Sequence, residues 1–267
     1  MDKNRFAVLA ALLKTPKASQ RALADDTGLS LGTVNAVLKE LTADGLVEDK
    51  QVGTTGLEAL APYKVDNAII LAAGLSSRFA PISYERPKGL LKVRGQIMIE
   101  RQIEQLHEAG ITDITVVVGY KKELFFYLEE KYGVSIAVNR EFASRNNHSS
   151  LMAVKDRLHR SYICSSDNYF TQNPFEPYVY KAYYAAEFAE GPTKEWCIET
   201  GAKDRIVGAT IGGRDAWYMI GHVFFDNAFS RRYVQILEAE YDNPLTRDML
   251  WESLYLEHID ELDMEIK

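Results

Sequence analysis

The sequence is poor in cysteine, in positive charge and in long apolar runs. Only Cys164 and Cys197 occur in 267 residues, and no histidine lies near them at metal-ligand spacing, so neither a disulfide framework nor a zinc site is indicated. No apolar stretch approaches the ~20 residues that a membrane-spanning helix needs, and the N-terminal residues lack the cleavage site of a signal peptide. We therefore expect a globular cytoplasmic protein with no membrane partner.

The charge of the chain also limits the classes of partner that we expect. A formal net charge of −7 argues against an overall electrostatic attraction to nucleic acid. Residues 1–64 contain eight basic and eight acidic residues, so the rest of the chain carries all of the net negative charge. With 46% hydrophobic residues, the chain can fill the core of one large domain and one small domain.

The first part of the chain has helical spacing of apolar residues. Three segments show it: 4–14, 19–26 and 30–43. Ser19 and Ser30 stand where serine caps a helix N-terminus. A short strand, a Gly/Thr turn and a returning segment follow. This part resembles the winged helix-turn-helix domain of bacterial regulators, and we expect such a domain over residues 1–64.

The resemblance implies that segment 30–43 could enter a DNA major groove. Its polar side chains would then lie near bases or phosphates: Ser30, Thr33, Asn35 and Lys39. The neutral charge and the acidic residues Asp44, Glu48 and Asp49 beside the wing disfavour DNA binding. The alternative is a folded appendage used for packing or dimerisation. DNA is thus a possible but unfavoured partner, and a homodimer is possible.

From Lys64 onward the pattern changes to strands that alternate with helices. The strands are predicted at 66–72, 113–118, 134–138 and 161–165, and the helices at 96–109, 121–131 and 149–158. Alternation of this kind predicts a mostly parallel α/β sheet with crossover helices, in which ligands bind beyond the carboxyl ends of the strands. We expect a Rossmann-like domain over residues 65–267.

The loop after the first of these strands reads AAGLSSR, and PKGLLKV follows it. Small residues let backbone N–H groups approach an anion closely, and a turn that enters a helix directs such donors toward phosphate. Arg78 and Lys88 add two fixed cations. The loop has neither Walker A nor G-x-G-x-x-G spacing, so kinase and dinucleotide-binding functions lose support.

Together LAAGLSSRF and PKGLLKV resemble the signature of nucleotidyltransferases, the cytidylyl- and uridylyltransferases that act on sugar phosphates and alcohol phosphates. The resemblance implies that Arg78 and the loop hold the nucleoside triphosphate. It also implies that Lys88 holds the phosphates around the reacting α-phosphorus. The loop residues predicted to bind nucleotide are Leu71, Ala72, Ala73 and Gly74.

Three further segments, NN-x-x-S-L, SSDNYF and TKEWCIE, resemble the bacterial CTP:phosphocholine cytidylyltransferases from about Asn67 onward. That family makes CDP-choline and pyrophosphate from CTP and phosphocholine. The resemblance implies Mg²⁺ as cofactor, with Asp167 as a catalytic metal ligand at the end of a predicted strand. Glu252 stands where a second metal-binding aspartate is expected. Asn147 and Ser150 are predicted to contact the nucleotide.

The acceptor site follows from the same resemblance. Trp196 matches the family's choline-binding tryptophan, and a quaternary ammonium, which cannot donate a hydrogen bond, is recognised by aromatic faces and nearby carboxylates. Trp251 and Glu252 are predicted to share this site. Leu250 stands where another aromatic residue is expected.

Two alternatives stay open at this point. The acceptor could be phosphoethanolamine or a sugar 1-phosphate instead of phosphocholine. The protein could also be a transcriptional regulator that only senses a ligand, although Arg78, Lys88 and Asp167 favour catalysis because a sensor needs no metal carboxylate. We expect no catalytic role for His148 or His222, since a phosphate monoester is already nucleophilic at neutral pH.

Overall fold

The computed structural model describes residues 1–76 and 80–267, so the predicted nucleotide-binding residue Arg78 lies outside the described residues. The described chain forms two units. One contains residues 1–64 together with 178–180, and the other contains residues 65–177 and 181–267. Within the described ranges, no helix combines the length and the apolarity needed to cross a membrane.

The first unit is a winged helix-turn-helix fold, as predicted. Its elements are α1 (Lys3–Lys14), α2 (Gln20–Thr27), α3 (Leu31–Ala43), β1 (Val47–Glu48), β2 (Gln51–Val52) and α4 (Thr54–Leu60). The hydroxyls of Ser19 and Ser30 accept hydrogen bonds from the backbone N–H groups of Ala22 and Thr33, each at 3.1 Å. These bonds satisfy donors that a helix N-terminus otherwise leaves unpaired, which fixes where α2 and α3 begin.

The core of the first unit is completed by a segment from far along the chain. The rings of Phe6, Tyr63 and Tyr180 lie 4.9–5.5 Å apart, centroid to centroid. The backbone N–H of Val179 donates to the carbonyl oxygen of Tyr63 at 2.9 Å. Residues 178–180 are therefore part of the folded winged unit, although residues 65–177 separate them from the rest of it.

The second unit alternates strands and helices over most of its length. Its elements are β3 (Asn67–Ala72), β4 (Lys92–Val93), β5 (Gln96–Ile97), α5 (Met98–Glu108), β6 (Ile114–Val118), α6 (Tyr127–Tyr132), β7 (Ser135–Val138), α7 (His148–Met152), β8 (Ser161–Ser165), β9 (Tyr183–Thr200), β10 (Ile206–Phe225), α8 (Asn227–Glu240), α9 (Trp251–Glu257) and β11 (Glu265–Ile266).

Over the described residues, the main sheet has seven strands in the order β11-β9-β10-β8-β3-β6-β7. The strands β8, β3, β6 and β7 pair in parallel, whereas β10 is antiparallel to both β8 and β9. The predicted mostly parallel α/β sheet is thus confirmed, with antiparallel strands added on one side. Leu71 on β3 lies opposite Ser165 on β8. The loops that follow these two strands consequently leave the same edge of the sheet side by side.

Two predicted helices are shorter than expected. The segment predicted over 121–131 is a 3₁₀ turn (Lys122–Phe125) followed by α6, and the helix predicted over 149–158 ends at Met152. Val154 leaves helical geometry with φ −130°, and its side chain is buried in the core. Burial of this side chain in the non-helical conformation separates α7 from the short 3₁₀ turn after it.

Replacing Tyr180 should destabilise the winged unit, although Tyr180 lies far from the rest of that unit in the sequence. We expect Tyr180→Ala to lower the free energy of unfolding of the winged unit by about 1–3 kcal/mol, because a half-buried aromatic ring is lost from a packed cluster. Denaturant unfolding, combined with amide hydrogen exchange of α1, measures the effect. The matched control is Tyr84→Ala, at an exposed tyrosine. Unchanged exchange of α1 in Tyr180→Ala would contradict the packing described.

Candidate active site

A cavity of about 570 Å³ lies beyond the carboxyl end of β8. Its walls come from the turn after β8, from β9 and β10, and from the beginning of α9. The side chains in its walls that bear on chemistry are Asp167, Glu187, Glu195, Trp196, Tyr218 and Glu252. The cavity therefore combines several carboxylates with aromatic rings, a composition suited to a ligand with a cationic group.

An ion pair joins the two loops that leave the sheet edge. The Lys88 ammonium pairs with an Asp167 carboxylate oxygen, and both side chains keep partial exposure, 33% and 26%. A Cβ on Gly89 would meet Ser166 Oγ at 2.8 Å and the Ser166 carbonyl oxygen at 3.0 Å. Only glycine fits at this position without movement of its neighbours, and its close approach brings Lys88 to Asp167.

The predicted nucleotide loop begins where β3 ends. Leu71 and Ala72 are the last residues of β3, Ala73 is buried, and Gly74 is exposed with open space where a side chain would stand. The Leu71 carbonyl oxygen accepts a hydrogen bond from Ser166 N–H at 3.2 Å. The backbone of this loop thus runs directly beside the turn that carries Asp167.

Glu252 reaches the cavity from the first turn of α9. Its carboxylate accepts hydrogen bonds from the Tyr184 hydroxyl and from the Asn147 side-chain amide, each at 3.3 Å. Burial raises the pKa of Glu252 to about 7, against the lowering effect of these two hydrogen bonds. A positive charge in the cavity would favour the ionised form of this carboxyl.

Asn147 and Ser150, the predicted nucleotide contacts, have side chains engaged within the protein. Asn147 Oδ1 accepts a hydrogen bond from Trp251 N–H at 2.7 Å, while its amide nitrogen donates to Glu252. Ser150 is buried, and its hydroxyl accepts from the Asn139 side-chain amide at 3.0 Å. In the structure Asn147 therefore fixes the beginning of α9, and with it the position of Glu252.

Trp251 lies in the hydrophobic core, with 2% of its surface exposed. Its indole stacks on Tyr184 at 5.9 Å and meets Phe225 edge-on at 5.3 Å. Its neighbours Leu250 and Glu252 line the cavity instead. Successive helical residues point about 100° apart, so α9 turns Glu252 to the cavity and the indole to the core. The aromatic lining of the cavity therefore lacks Trp251 and comes from Trp196, Tyr184, Tyr218, Tyr169 and Phe170.

A fold in the long β9–β10 hairpin brings Trp196 into the cavity wall. Tyr218 pairs with both Glu187 and Cys197, so the two halves of β9 flank the same stretch of β10. This arrangement places Glu187, Glu195 and Trp196 around one space. The Tyr218 hydroxyl donates to Glu187 Oε2 at 2.9 Å, and that bond raises the pKa of Tyr218.

No motif in the sequence marks Glu187 or Glu195 as a site residue. Glu195 precedes Trp196 in the TKEW segment, whereas Glu187 becomes its neighbour only through the folded hairpin.

The histidines for which no catalytic role is expected, His148 and His222, are both buried. Burial lowers the pKa of His222 to about 3 and also lowers the pKa of His148. His222 packs among aromatic rings, including Tyr162 at 5.4 Å and Phe175 at 5.1 Å. Both imidazoles are thus neutral at physiological pH and belong to the packed interior.

Comparisons with known proteins bear on the two units of the fold. Residues 1–48 match the winged helix-turn-helix DNA-binding family, and residues 68–175 match the MobA-like NTP transferase domain. A putative glucose-1-phosphate thymidylyltransferase from Bacillus anthracis superimposes with a TM-score of 0.61 over 76% of this chain and 86% of its own. At 17% identity it shows the fold alone. The fold and the site together define a nucleotidyltransferase.

Relatives with higher sequence identity indicate which family of nucleotidyltransferases the chain belongs to. Choline-phosphate cytidylyltransferase of Streptococcus pneumoniae is 36% identical over 75% of this chain and 87% of its own length. A solved structure of CTP:phosphocholine cytidylyltransferase from the same organism has a TM-score of 0.73 and 35% identity, covering 76% of this chain and 89% of that one. The 2-aminoethylphosphonate cytidylyltransferase of Lancefieldella rimae is 36% identical over 75% of this chain and 83% of its own. The chain belongs to the family of the bacterial choline-phosphate cytidylyltransferases.

Nucleotidyltransferases of this kind generally use a divalent metal ion. Asp167 and Glu252 line one cavity and offer carboxylate oxygens, the ligands that hard divalent cations prefer. Among the described residues, no cluster of three or more His, Cys, Asp or Glu side chains could hold a metal ion. The residues present therefore fit a cation that takes its remaining ligands from water and substrate phosphates.

The raised pKa of Glu252 predicts how stability changes with pH. Burial raises the pKa of the Glu252 carboxyl from 4.5 to about 7 in the native protein. Between these two pH values, the native protein therefore keeps a proton that the unfolded protein has lost. The free energy of unfolding should therefore fall as pH rises through this window. Glu252→Gln cannot ionise. Its stability relative to wild type should be higher at pH 8 than at pH 5 in urea unfolding without divalent cations.

The control for this measurement is Glu257→Gln, at an exposed position on the same helix, which should show the same stability difference at both pH values. An equally pH-independent difference for Glu252→Gln would show that the carboxyl titrates normally.

Proposed function

We propose that the protein transfers the cytidylyl group of CTP to phosphocholine, giving CDP-choline and pyrophosphate. One observation carries the proposal: Asp167, which forms an ion pair with Lys88, lines the same cavity as Trp196 and the acidic residues Glu187 and Glu195. The first pair fits the reacting phosphates. The second group fits the ammonium end of the acceptor.

The chemistry needs positioning more than proton transfer. An oxygen of the phosphocholine phosphate attacks the α-phosphorus of CTP in line, and the bond to the departing pyrophosphate breaks. The attacking monoester is already anionic, so no general base is required. Lys88, with Arg78 as the family signature implies, offsets the negative charge that gathers on the phosphates. When bound at Asp167 and Glu252, Mg²⁺ would supply further neutralisation of the α-phosphate.

The acceptor end is recognised by aromatic and acidic groups. A trimethylammonium group has no N–H to donate, so the face of Trp196 attracts it through the ring's negative potential. Glu187 and Glu195 add net negative charge around the same space. The Tyr218 hydroxyl holds Glu187 in place. These acidic walls disfavour a sugar 1-phosphate as the acceptor, because its sugar carries no positive charge.

A second candidate acceptor carries a primary ammonium, as phosphoethanolamine and 2-aminoethylphosphonate do. The observation in its favour is the pair of carboxylates, because Glu187 and Glu195 can accept N–H hydrogen bonds. Leu250 also stands where the aromatic pattern expects another ring. We nevertheless favour phosphocholine, because Trp196 offers an aromatic face for cation–π contact, whereas a primary ammonium can be bound by carboxylates alone.

We further propose that the winged unit, residues 1–64 with 178–180, is dispensable for the chemistry, since every cavity-lining residue named above belongs to the other unit. DNA remains an unfavoured partner for the winged unit because residues 1–64 carry no net charge.

Pyrophosphate release from each nucleoside triphosphate, with a panel of acceptors, tests the proposed function. The acceptors are phosphocholine, phosphoethanolamine, 2-aminoethylphosphonate and glucose 1-phosphate. We expect turnover with CTP, and kcat/KM for phosphocholine about tenfold or more above the primary-ammonium acceptors, because a desolvated cation–π contact contributes about 2 kcal/mol. This preference should collapse in Trp196→Ala.

The matched control is Trp217→Ala, on the same hairpin, where the indole is 51% exposed and meets Phe188 edge-on. It should keep the wild-type preference. Equal use of phosphoethanolamine by the wild-type protein, or equal loss of preference in both variants, would contradict the assignment of Trp196.

A further inference from the structure

The turn that carries Asp167 is held by one buried side chain of α5. Gln102 is fully buried, and its amide nitrogen donates to the carbonyl oxygens of Ser165 and Asn168, each at 3.0 Å. These two carbonyls stand on either side of Asp167 in the sequence. A single amide group therefore closes the turn around the catalytic carboxylate.

Other side chains of α5 hold the later part of the same segment. The Arg101 guanidinium donates to the carbonyl oxygens of Phe170 at 2.6 Å and Thr171 at 2.9 Å. Gln105, also buried, donates to Phe170 at 3.2 Å. Among the hydrogen bonds that α5 side chains donate to carbonyl oxygens of residues 165–171 in the described structure, those of Gln102 bracket Asp167, whereas those of Arg101 and Gln105 lie beyond it.

The remaining neighbours of the turn leave it little freedom. The Asn168 side-chain amide donates to the carbonyl oxygen of Ile220 on β10 at 2.7 Å. On the opposite side, Gly89 approaches Ser166 so closely that no side chain would fit. With the backbone fixed by these contacts, the direction of the Asp167 carboxylate depends on the path of the turn. Without Gln102, two carbonyl oxygens would each lose a donor inside the protein.

We propose that Gln102 is a positioning residue for nucleotidyl transfer: it fixes the turn so that the Asp167 carboxylate faces Lys88 and the reacting phosphates. The inference rests on the proposed function. Acceptor binding uses the hairpin residues Trp196 and Glu187, whereas the Gln102 amide donates to Ser165 and Asn168 and does not line the cavity. Loss of Gln102 should thus reduce kcat and leave the KM for phosphocholine nearly unchanged, because small displacements of a reacting group cost rate.

The test replaces Gln102 with methionine, which keeps the length of the side chain and removes its donors. Gln102→Met should lower kcat by about 10–100-fold and change the KM for phosphocholine by less than about threefold. In the protein without substrate, amide hydrogen exchange over residues 165–168 should become faster. The matched control, Gln105→Met on the same helix, should keep kcat within about threefold of wild type and leave that exchange unchanged.

A second variant serves if Gln102→Met folds poorly. Gln102→Glu keeps the shape but places a carboxylate against two carbonyl oxygens, and only its protonated form regains a donor. Its kcat relative to wild type should therefore rise as pH falls. The wild-type profile, measured in the same buffers, corrects for titration of Glu252 and of the substrates. A side chain that only fills space would give a ratio independent of pH.

Three results would overturn the inference: a wild-type kcat in folded Gln102→Met, equal losses in the Gln102 and Gln105 variants, or a pH-independent ratio for Gln102→Glu. The failure of the proposed function is distinguishable from these. If wild-type protein transfers no cytidylyl group to any acceptor, the proposed function fails, and the exchange comparison, which needs no substrate, still tests the role of Gln102 in holding the turn.

Discussion

The ion pair between Lys88 and Asp167 is the interaction on which the proposed active site depends. Its two members come from loops that follow neighbouring parallel strands, and the pairing of Leu71 with Ser165 sets those loops side by side. Both charges keep contact with solvent, so the pair avoids the desolvation cost of a buried salt bridge. A triphosphate can therefore compete for the ammonium without having to break a closed, dry interaction.

The geometry divides the site into two parts with different tasks. In the proposed function, the sheet edge at β3 and β8 supplies charge for the reacting phosphates. The folded β9–β10 hairpin, which brings Trp196, Glu187 and Glu195 to the cavity wall, is proposed to face the acceptor. Because the two parts belong to different elements, acceptor specificity can vary between relatives while the phosphate end stays in place. The two curated relatives at 36% identity are named for different acceptors, which fits this division.

Local patterns in the sequence were sufficient for much of the fold. Helical spacing and the caps Ser19 and Ser30 located the winged unit, and alternating strands and helices gave the parallel part of the sheet. The folded hairpin and the packing of Tyr180 depend on partners far along the chain, which no local pattern reports. Trp251 and Glu252 are adjacent in the sequence, yet on α9 the Trp251 side chain lies in the core and the Glu252 side chain lines the cavity.

The role proposed for Gln102 could not be predicted from the sequence either, since a glutamine on an amphipathic helix belongs to no recognisable motif. Its importance follows from the two carbonyls that it bridges.

The most direct test of this account is the turnover of Lys88→Ala and Asp167→Ala with CTP and phosphocholine. Both side chains act on charge at the reacting phosphorus, so each variant should fold normally and lose at least about 10²-fold in kcat. Far-UV circular dichroism and thermal unfolding verify the fold. A folded Asp167→Ala protein with near-wild-type turnover would contradict the assignment of this ion pair as the centre of the active site.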